Sequence, residues 1–116
     1  MSLPKITIEL SGEPHECEFH LYHDKHGDGL VITLKECDIG ENLGTLTFNP
    51  IGTTLGANEI AVKTWEENAL FVDQVLAQCP HLFEDTGKKI RVGHTRARIW
   101  RLKVDPSDIG TVHARN

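Results

Sequence analysis

The apolar residues of this chain follow a two-residue period over most of its length and change only once to a helical period. The change comes late, where one helix face is outlined by Phe71, Val72, Val75, Leu76 and Cys79. Alternate side chains of a β-strand share a face, so the alternating runs elsewhere in the chain predict strands. Many strands with a single late helix, and no regular strand–helix alternation, predict an α+β fold with an antiparallel sheet.

Two of the alternating runs can be aligned with each other by arithmetic. Glu16–His23 and Leu30–Cys37 flank the turn-rich connector Asp24–Gly29. If residues whose numbers sum to 53 face each other, six apolar side chains share one face and Glu18 lies opposite Lys35 on the other. A slip by one residue would place apolar side chains opposite polar ones. This hairpin is therefore the most strongly specified pairing, and its inward side chains are Cys17, Phe19, Leu21, Leu30, Ile32 and Leu34.

Five further runs of strand-forming residues predict the rest of the sheet. They are Lys5–Leu10, Leu43–Phe48, Glu59–Thr64, Lys89–Val92 and Ala97–Lys103. Their inward residues are expected to be Ile6, Ile8, Leu10, Leu46, Phe48, Ile60, Val62, Trp100 and Leu102, with Arg98 on the face of Trp100. Together with the hairpin, these runs predict one twisted, mainly antiparallel sheet of six or seven strands.

The helical stripe predicts one principal α-helix over about residues 66–78. Thr64 and Glu67 have the spacing of a capping box, in which each side chain bonds a backbone amide at the helix start. Pro80 ends the helix near Gln78 because proline cannot continue the backbone hydrogen-bond pattern. A single apolar stripe must pack on the apolar face of the sheet. The segment 81–86 that follows reads as a connector, and Gly87 as a turn.

The length and the N-terminal pattern suggest how the chain is organised. Its 116 residues suit one compact domain. We expect residues 1–103 to form a single α+β domain and residues 104–116, which have no hydrophobic period, to be a flexible tail. No run approaches the ~18–20 apolar residues of a membrane span, and the N-terminus lacks the basic and apolar regions of an export signal. These observations predict a cytoplasmic protein with no membrane partner.

Charge is sorted by position along the chain. Residues 1–87 contain fifteen Asp or Glu and only four Lys or Arg, whereas residues 88–103 contain seven Lys or Arg and no carboxylate. Such a distribution predicts either opposite charges on neighbouring strands or two displayed surfaces of opposite sign.

The basic segment 88–103 is the candidate binding site. On a strand hairpin its cations could face phosphate groups, but the same side chains could instead pair with acidic neighbouring strands. The overall pI of about 5.7 is below the range typical of nucleic-acid-binding domains. The candidate residues are Lys88, Lys89, Arg91, His94, Arg96, Arg98 and Arg101, with Lys103 at the end of the segment.

No other group of residues predicts chemistry. The three cysteines, Cys17, Cys37 and Cys79, have neither disulfide-framework nor zinc-site spacing, so they are expected to be free, buried thiols. Four histidines lie within residues 15–26, but neighbouring positions on a strand point to opposite faces. We interpret His15, His20, His23 and His26 as exposed polar residues around a hairpin tip. There is no nucleophile elbow or phosphate loop, so neither an enzyme nor a cofactor or metal site is expected.

Several short motifs occur in a fixed order between residues 43 and 102. They comprise Thr45, Leu46, Thr47 and Asn49, then Glu59 and Lys63, then Glu67 and Asn68, then Thr86 and Gly87, and finally Arg101 and Leu102. This order resembles a family of small uncharacterised proteins of bacteria, their phages and plasmids. The resemblance implies a compact α+β domain encoded on a mobile element and brings no assigned activity.

Three functional hypotheses follow from the sequence. The leading one is a non-enzymatic interaction module that binds a protein partner, or a second copy of itself, through its sheet. The alternative is a nucleic-acid-associated protein that uses residues 88–103. A second alternative is an acidic inhibitor that mimics nucleic acid through the acidic residues 1–87. A continuous basic patch with little carboxylate nearby would favour the nucleic-acid hypothesis.

Overall fold

The structure, a computed structural model, describes residues 3–23, 30–50 and 55–113. The predicted Asp24–Gly29 connector, His26 and the end of the predicted tail lie outside the described residues, as does the side chain of Leu30. The described part contains nine strands: β1 Lys5–Leu10, β2 Glu13–His23, β3 Leu30–Glu36, β4 Asn42–Thr45, β5 Thr47–Phe48, β6 Glu59–Val62, β7 Phe83–Val92, β8 Thr95–Leu102 and β9 Thr111–Val112. It also contains a 3₁₀ helix, Glu66–Leu70, and the α-helices α1 Val72–Gln78 and α2 Pro106–Ile109.

The strands form two sheets. Sheet A has the order β1-β2-β3-β4, with β9 pairing β2 in parallel, and sheet B has the order β5-β6-β8-β7. All pairings except that of β9 are antiparallel. The α+β class and the antiparallel character are thus confirmed. The prediction of one sheet with six or seven strands was wrong, because very short strands carry no readable period.

The chain passes from sheet A to sheet B at Leu46, in the middle of the predicted strand Leu43–Phe48. The Leu46 amide donates to the carbonyl of Ile32 at 2.7 Å, and the Ile32 amide donates to Thr47 Oγ1 at 2.9 Å. Leu46 is fully buried as predicted, but Phe48 is only half-buried. Its ring packs edge-on against Trp65, with the ring centroids 5.7 Å apart, rather than in the core.

The β2–β3 hairpin has the predicted register. All seven pairs sum to 53, from Cys17 opposite Glu36 to His23 opposite Leu30. The buried members confirm the inward face, which comprises Cys17, Phe19, Leu21, Ile32 and Leu34. The same holds for Ile6 and Ile8 on β1, Ile60 and Val62 on β6 and Trp100 on β8.

The helical segment is divided and starts without the predicted capping box. Neither Trp65 nor Phe71, the residues preceding the two helical pieces, makes a side-chain capping bond. Thr64 is not free to cap, because its hydroxyl donates to the carbonyl of Arg96 at 3.0 Å. The buried Asn68 side chain donates instead to the carbonyls of Thr45 and Lys63. The predicted helix of residues 66–78 is therefore a 3₁₀ turn followed by a shorter α-helix.

Strand β7 is longer than predicted and includes the supposed turn at Gly87. The pairing with β8 shifts register between Asp85 and Lys89, so this stretch is a bulge within one strand. Thr86 Oγ1 donates to the carbonyl of Ile99 at 2.7 Å, and Asp85 Oδ1 accepts from the Gly87 amide. Gly87 has φ +81°, a backbone conformation that glycine adopts without strain. The glycine therefore marks a bulge rather than the start of a strand.

Part of the predicted tail packs on the domain. Pro106–Ile109 forms α2 and Thr111–Val112 forms β9, and Ile109, the last residue of α2, is fully buried in the core. No sequence pattern indicated these two elements, because one buried side chain and two paired residues create no hydrophobic period.

Both sheets and helix α1 contribute to one core. Trp100 of sheet B lies at its centre, with its ring centroid 5.5 Å from that of Phe83, which in turn meets Phe19 of sheet A edge-on at 5.7 Å. Val72 and Val75 bring the helix face into the same cluster. The Cα radius of gyration is 13.6 Å. Among the described residues, no helix is long and apolar enough to cross a membrane.

Candidate functional site

The basic segment forms the end of the β7–β8 hairpin. Beyond the bulge, Lys89 lies opposite Arg98 and Arg91 lies opposite Arg96, and the chain turns at Gly93 and His94. Alternate residues of a strand share a face, so these four cations lie on the face that carries Trp100 further along β8. The hairpin therefore places like charges directly across from one another.

Half of the predicted site has a partner: three cations pair with carboxylates, and Lys103 bonds a backbone carbonyl. Lys88 Nζ donates to Glu59 Oε2 at 2.9 Å, and Arg101 Nη1 donates to Glu84 Oε1 at 2.8 Å. Arg98 bridges two elements, because its guanidinium reaches Asp73 Oδ1 on α1 at 2.8 Å and Asp85 Oδ2 on β7 at 2.9 Å. Lys103 Nζ donates to the carbonyl of Pro80 at 2.8 Å.

These contacts shift the ionisation of their members in the expected directions. The hydrogen bonds that the Arg98 guanidinium donates to Asp73 and, with a smaller effect, to Asp85 raise its pKa. The hydrogen bond from Lys88 lowers the pKa of the Glu59 carboxyl. Charged hydrogen bonds favour the charged form of each partner. The paired cations thus fasten the base of the hairpin to β6 and to α1.

The other half of the predicted site is exposed and makes no ion pair within the described residues. We call this group, Lys89, Arg91, His94 and Arg96, the basic hairpin end. Arg91 and Arg96 are direct cross-strand partners, an arrangement that destabilises a hairpin when both members carry the same charge. The predicted basic segment therefore has two parts. In one part the cations bond neighbouring elements, and in the other, the basic hairpin end, they make no ion pair within the described residues.

Several carboxylates of the acidic residues 1–87 contact basic side chains nearby. Glu16 lies 3.8 Å from Lys5, and His15 Nδ1 lies 2.8 Å from Glu36 Oε1. Lys63 Nζ lies 3.4 Å from Glu66 Oε2. Glu18 contacts His20 rather than its cross-strand neighbour Lys35, whose Nζ lies 5.3 Å from the centre of the Tyr22 ring.

Two glutamines cover the outer edge of β1, a feature that sequence reasoning missed. Gln78 Oε1 accepts from the Thr7 amide at 3.0 Å, and its Nε2 donates to the Thr7 carbonyl. Gln74 makes the same two bonds to Glu9, at 2.8 and 3.0 Å. Each carboxamide thus makes the pair of hydrogen bonds that a residue of a neighbouring strand would make. The spacing of the two glutamines, one helical turn apart, was the available signal.

Of the histidines predicted to be exposed around the hairpin tip, His23 is exposed, but His15 and His20 are partly buried and have polar partners. His15 contacts Glu36, whereas His20 Nδ1 lies 2.8 Å from Nε2 of His113 and His20 Nε2 lies 3.2 Å from Glu18 Oε1. The ring of His113 also stacks on Tyr22, with centroids 4.3 Å apart. Among the described residues, no group of three or more His, Cys, Asp or Glu side chains is arranged to hold a metal ion.

A shallow cleft brings together the residue types of a hydrolytic triad. His81, Ser107 and Asp108 line it beside the apolar Leu82 and Val104. A working triad requires a nucleophile hydrogen-bonded to its base and a base oriented by the carboxylate. No hydrogen bond joins these three side chains in the described structure, so the cleft carries no assembled nucleophile.

The thiols differ in accessibility. Cys17 and Cys79 are buried, and burial raises the pKa of each to about 11, with Glu36 adding to the effect at Cys17. Cys37 is partly exposed, and its pKa is raised first by burial and then by Glu18. The prediction of buried thiols is confirmed for two of the three cysteines.

We expect a thiol reagent at pH 8 to modify Cys37 in the native protein and to modify Cys17 and Cys79 only after denaturation. The reactive species is the thiolate, and a buried thiol with a raised pKa is neither ionised nor reachable. The measurement is the time course of reagent release. Cys37→Ser should remove the native reaction and Cys79→Ser should leave it intact, whereas three thiols reacting at one rate would contradict this assignment.

Comparisons with known proteins give no relative. No protein-family model matches the chain, and no curated protein or solved structure matches it either. The resemblance of residues 43–102 to small proteins of bacteria, phages and plasmids therefore stays a prediction.

Proposed function

We propose that this protein is a non-enzymatic module that binds the phosphate backbone of nucleic acid with the basic hairpin end. The observation that carries the proposal is the cross-strand pair of Arg91 and Arg96, held opposite each other with no carboxylate partner among the described residues. Such a pair is unfavourable in the free protein and becomes favourable when a polyanion lies against it.

The shape and stiffness of the hairpin support this proposal. A two-stranded ribbon fits the major groove of duplex DNA, and guanidinium groups bind phosphate oxygens in a bidentate manner. Ion pairs of Arg98 with α1 and of Lys88 with β6 connect the ribbon to neighbouring elements, and strand pairing with β6 holds β8 in place. Groups that are already oriented lose less entropy on binding.

The acidic remainder of the molecule would orient the encounter. With a net formal charge of −5, the protein as a whole repels a polyanion. Only a local cluster of unneutralised cations can approach phosphate groups closely, because charges further than about 8 Å away are screened at physiological salt. This arrangement favours weak binding with one orientation.

The leading sequence hypothesis, association through the sheet, has less support from the geometry. Gln74 and Gln78 already occupy the outer hydrogen-bonding groups of β1. The exposed large apolar side chains, Leu3, Ile39, Leu70 and Val112, come from separate elements of the described structure. The basic hairpin end could instead bind an acidic protein or the acidic part of a second copy. The solution-mass measurement described below tests the second of these.

The test is a titration of a fluorescently labelled 20-bp DNA duplex at 50 and 200 mM salt. Three phosphate contacts predict a loss of affinity of roughly 40-fold over that range, and one contact predicts about fourfold. R91S/R96S should weaken binding about tenfold at the lower salt and flatten the salt dependence. K88S/R101S removes the same formal charge from paired positions of the same hairpin and should have less than a third of this effect.

Two results would overturn the proposal. One is absence of binding by the wild-type protein at 50 mM salt. The other is equal weakening by the two double variants, since the effect would then follow net charge rather than the basic hairpin end. Measuring the solution mass of each sample adds a further check, because a dimer that R91S/R96S dissociates, without DNA binding, would assign the cations to self-association.

A further inference from the structure

The C-terminal strand is attached to sheet A by a short contact. Strand β9 pairs with β2 at only two positions, opposite His20 and Leu21, and the His113 amide then donates to the Leu21 carbonyl at 2.8 Å. The His113 ring contacts the rings of both His20 and Tyr22, with centroid distances of 5.1 and 4.3 Å. The last described residue is thus held by one backbone bond and by two ring contacts.

The two histidines face each other in a direct hydrogen bond. His20 Nδ1 and His113 Nε2 are 2.8 Å apart while the ring centroids are 5.1 Å apart, so both nitrogens lie close to the line that joins the rings. Lone pairs pointing at each other cannot converge on a shared metal ion, which requires ligands around a common centre. One nitrogen must therefore donate a proton and the other must accept it.

Glu18 restricts how protons can be distributed over this pair. A carboxylate only accepts hydrogen bonds, so His20 Nε2, 3.2 Å from Glu18 Oε1, carries a proton. With both rings neutral, His20 Nδ1 accepts from His113 Nε2–H. With one added proton on His20, Nδ1 donates to His113 Nε2 and the bond persists. With both rings protonated, two N–H groups face each other and the hydrogen bond cannot form.

We propose that the His20–His113 contact is a proton-linked latch that holds β9 on sheet A and opens in acid. The latched state can take up one proton fewer than the released state, so latching weakens as the pH falls. Imidazole is the side chain that normally changes charge between pH 5 and 8, so the test spans this range.

The charged groups around the latch come from three strands of sheet A. Glu16 and Glu18 on β2 and Lys5 on β1 lie on the outer face, where Lys5 and Glu16 contact each other. Lys35 on β3 lies over the Tyr22 ring, on which His113 stacks. Of these groups, Glu18 contacts the pair directly, through His20 Nε2.

The experiment follows the exchange of the His113 amide by NMR at pH 7.5 and 5.0, corrected for intrinsic exchange rates. The Leu46 amide, bonded to the Ile32 carbonyl, serves as the internal reference. We expect the protection of the His113 amide relative to that of Leu46 to fall about tenfold at pH 5.0. This is the effect expected when the His20–His113 hydrogen bond and the ring contact between them are lost. Retained relative protection at pH 5.0 would overturn the latch.

Three variants separate the latch from a general effect of acid. His20→Asn keeps an acceptor, Oδ1, bonded to Cγ where Nδ1 was, but cannot be protonated, so protection at His113 should persist at pH 5.0. His113→Phe keeps ring stacking on Tyr22 without the nitrogen and should show low protection at both pH values. His23→Asn alters an exposed histidine of the same strand and should behave as wild type. Loss of protection in His20→Asn at pH 5.0 equal to that in wild type would overturn the proposal.

Discussion

Replacing Gly110 by alanine is expected to displace the C-terminal segment and to lower the free energy of unfolding by about 3 kcal/mol. A Cβ at this position would overlap the Phe19 carbonyl oxygen, 2.6 Å from the carbonyl carbon and 2.9 Å from the Phe19 Cβ. These are strand atoms that no side-chain rotation moves. The segment would have to shift and withdraw Ile109, which has no exposed surface, from the core.

The measurement is chemical denaturation of Gly110→Ala beside Ser107→Ala, an exposed position in α2 that should stay within about 0.5 kcal/mol of wild type. A chain that ends at Asp108 provides a second comparison. If the alanine acts by detaching the segment, truncation should lower the free energy of unfolding by a similar amount. The full-length Gly110→Ala variant should then be no less stable than the truncated chain. Wild-type stability of Gly110→Ala would show that Gly110 does not need to approach Phe19 closely.

The register of the β2–β3 hairpin could be predicted because several weak rules agreed on it. Alternation, burial and charge each selected the same pairing, and a slip of one residue would have violated all three. The inward positions of β1, β6 and β8 were predictable for the same reason. Where a strand is two residues long, as in β5 and β9, no such agreement can arise.

Two of the errors arose where a polar side chain has a distant partner. Thr64 has the sequence context of a helix cap, but the Arg96 carbonyl competes for its hydroxyl across 32 positions of sequence. His20 and His113 are 93 positions apart and meet only because β9 lies beside β2. Sequence rules describe the hydrogen bonds that a side chain can make with nearby residues. In both cases the side chain bonds a residue that is distant in sequence and close only in the folded protein.

The candidate site was predicted as one basic segment, and its division could not be read from the sequence. Which cations are neutralised depends on the neighbours of β8: β6 supplies Glu59, and β7 supplies Glu84 and Asp85. This strand order is a property of the whole fold. The cations at the hairpin end lie beyond these carboxylates, which is why charge counting alone could not separate them.

Replacing Gln74 and Gln78 together by methionine is expected to lower the free energy of unfolding by about 2 kcal/mol and to make the protein associate. Methionine has a similar length and a comparable helix propensity, so α1 itself should persist. The change removes all four hydrogen bonds to Thr7 and Glu9. Each bond at an exposed site contributes roughly 0.5 kcal/mol or slightly more, the lower end of the usual range.

Association should follow because an uncovered strand edge offers its amides and carbonyls to another chain. Solution mass measured over a range of protein concentrations should rise for Q74M/Q78M, and the Thr7 and Glu9 amides should lose protection from exchange in its monomeric fraction. Ala77→Met adds a methionine to an exposed position of the same helix without removing an edge contact. If Ala77→Met associates as strongly, added apolar surface is the cause and the glutamines do not protect the edge. If only Q74M/Q78M associates, the two carboxamides replace a neighbouring strand by bonding the outer backbone groups of β1. They thereby prevent this edge from pairing with a strand of another molecule.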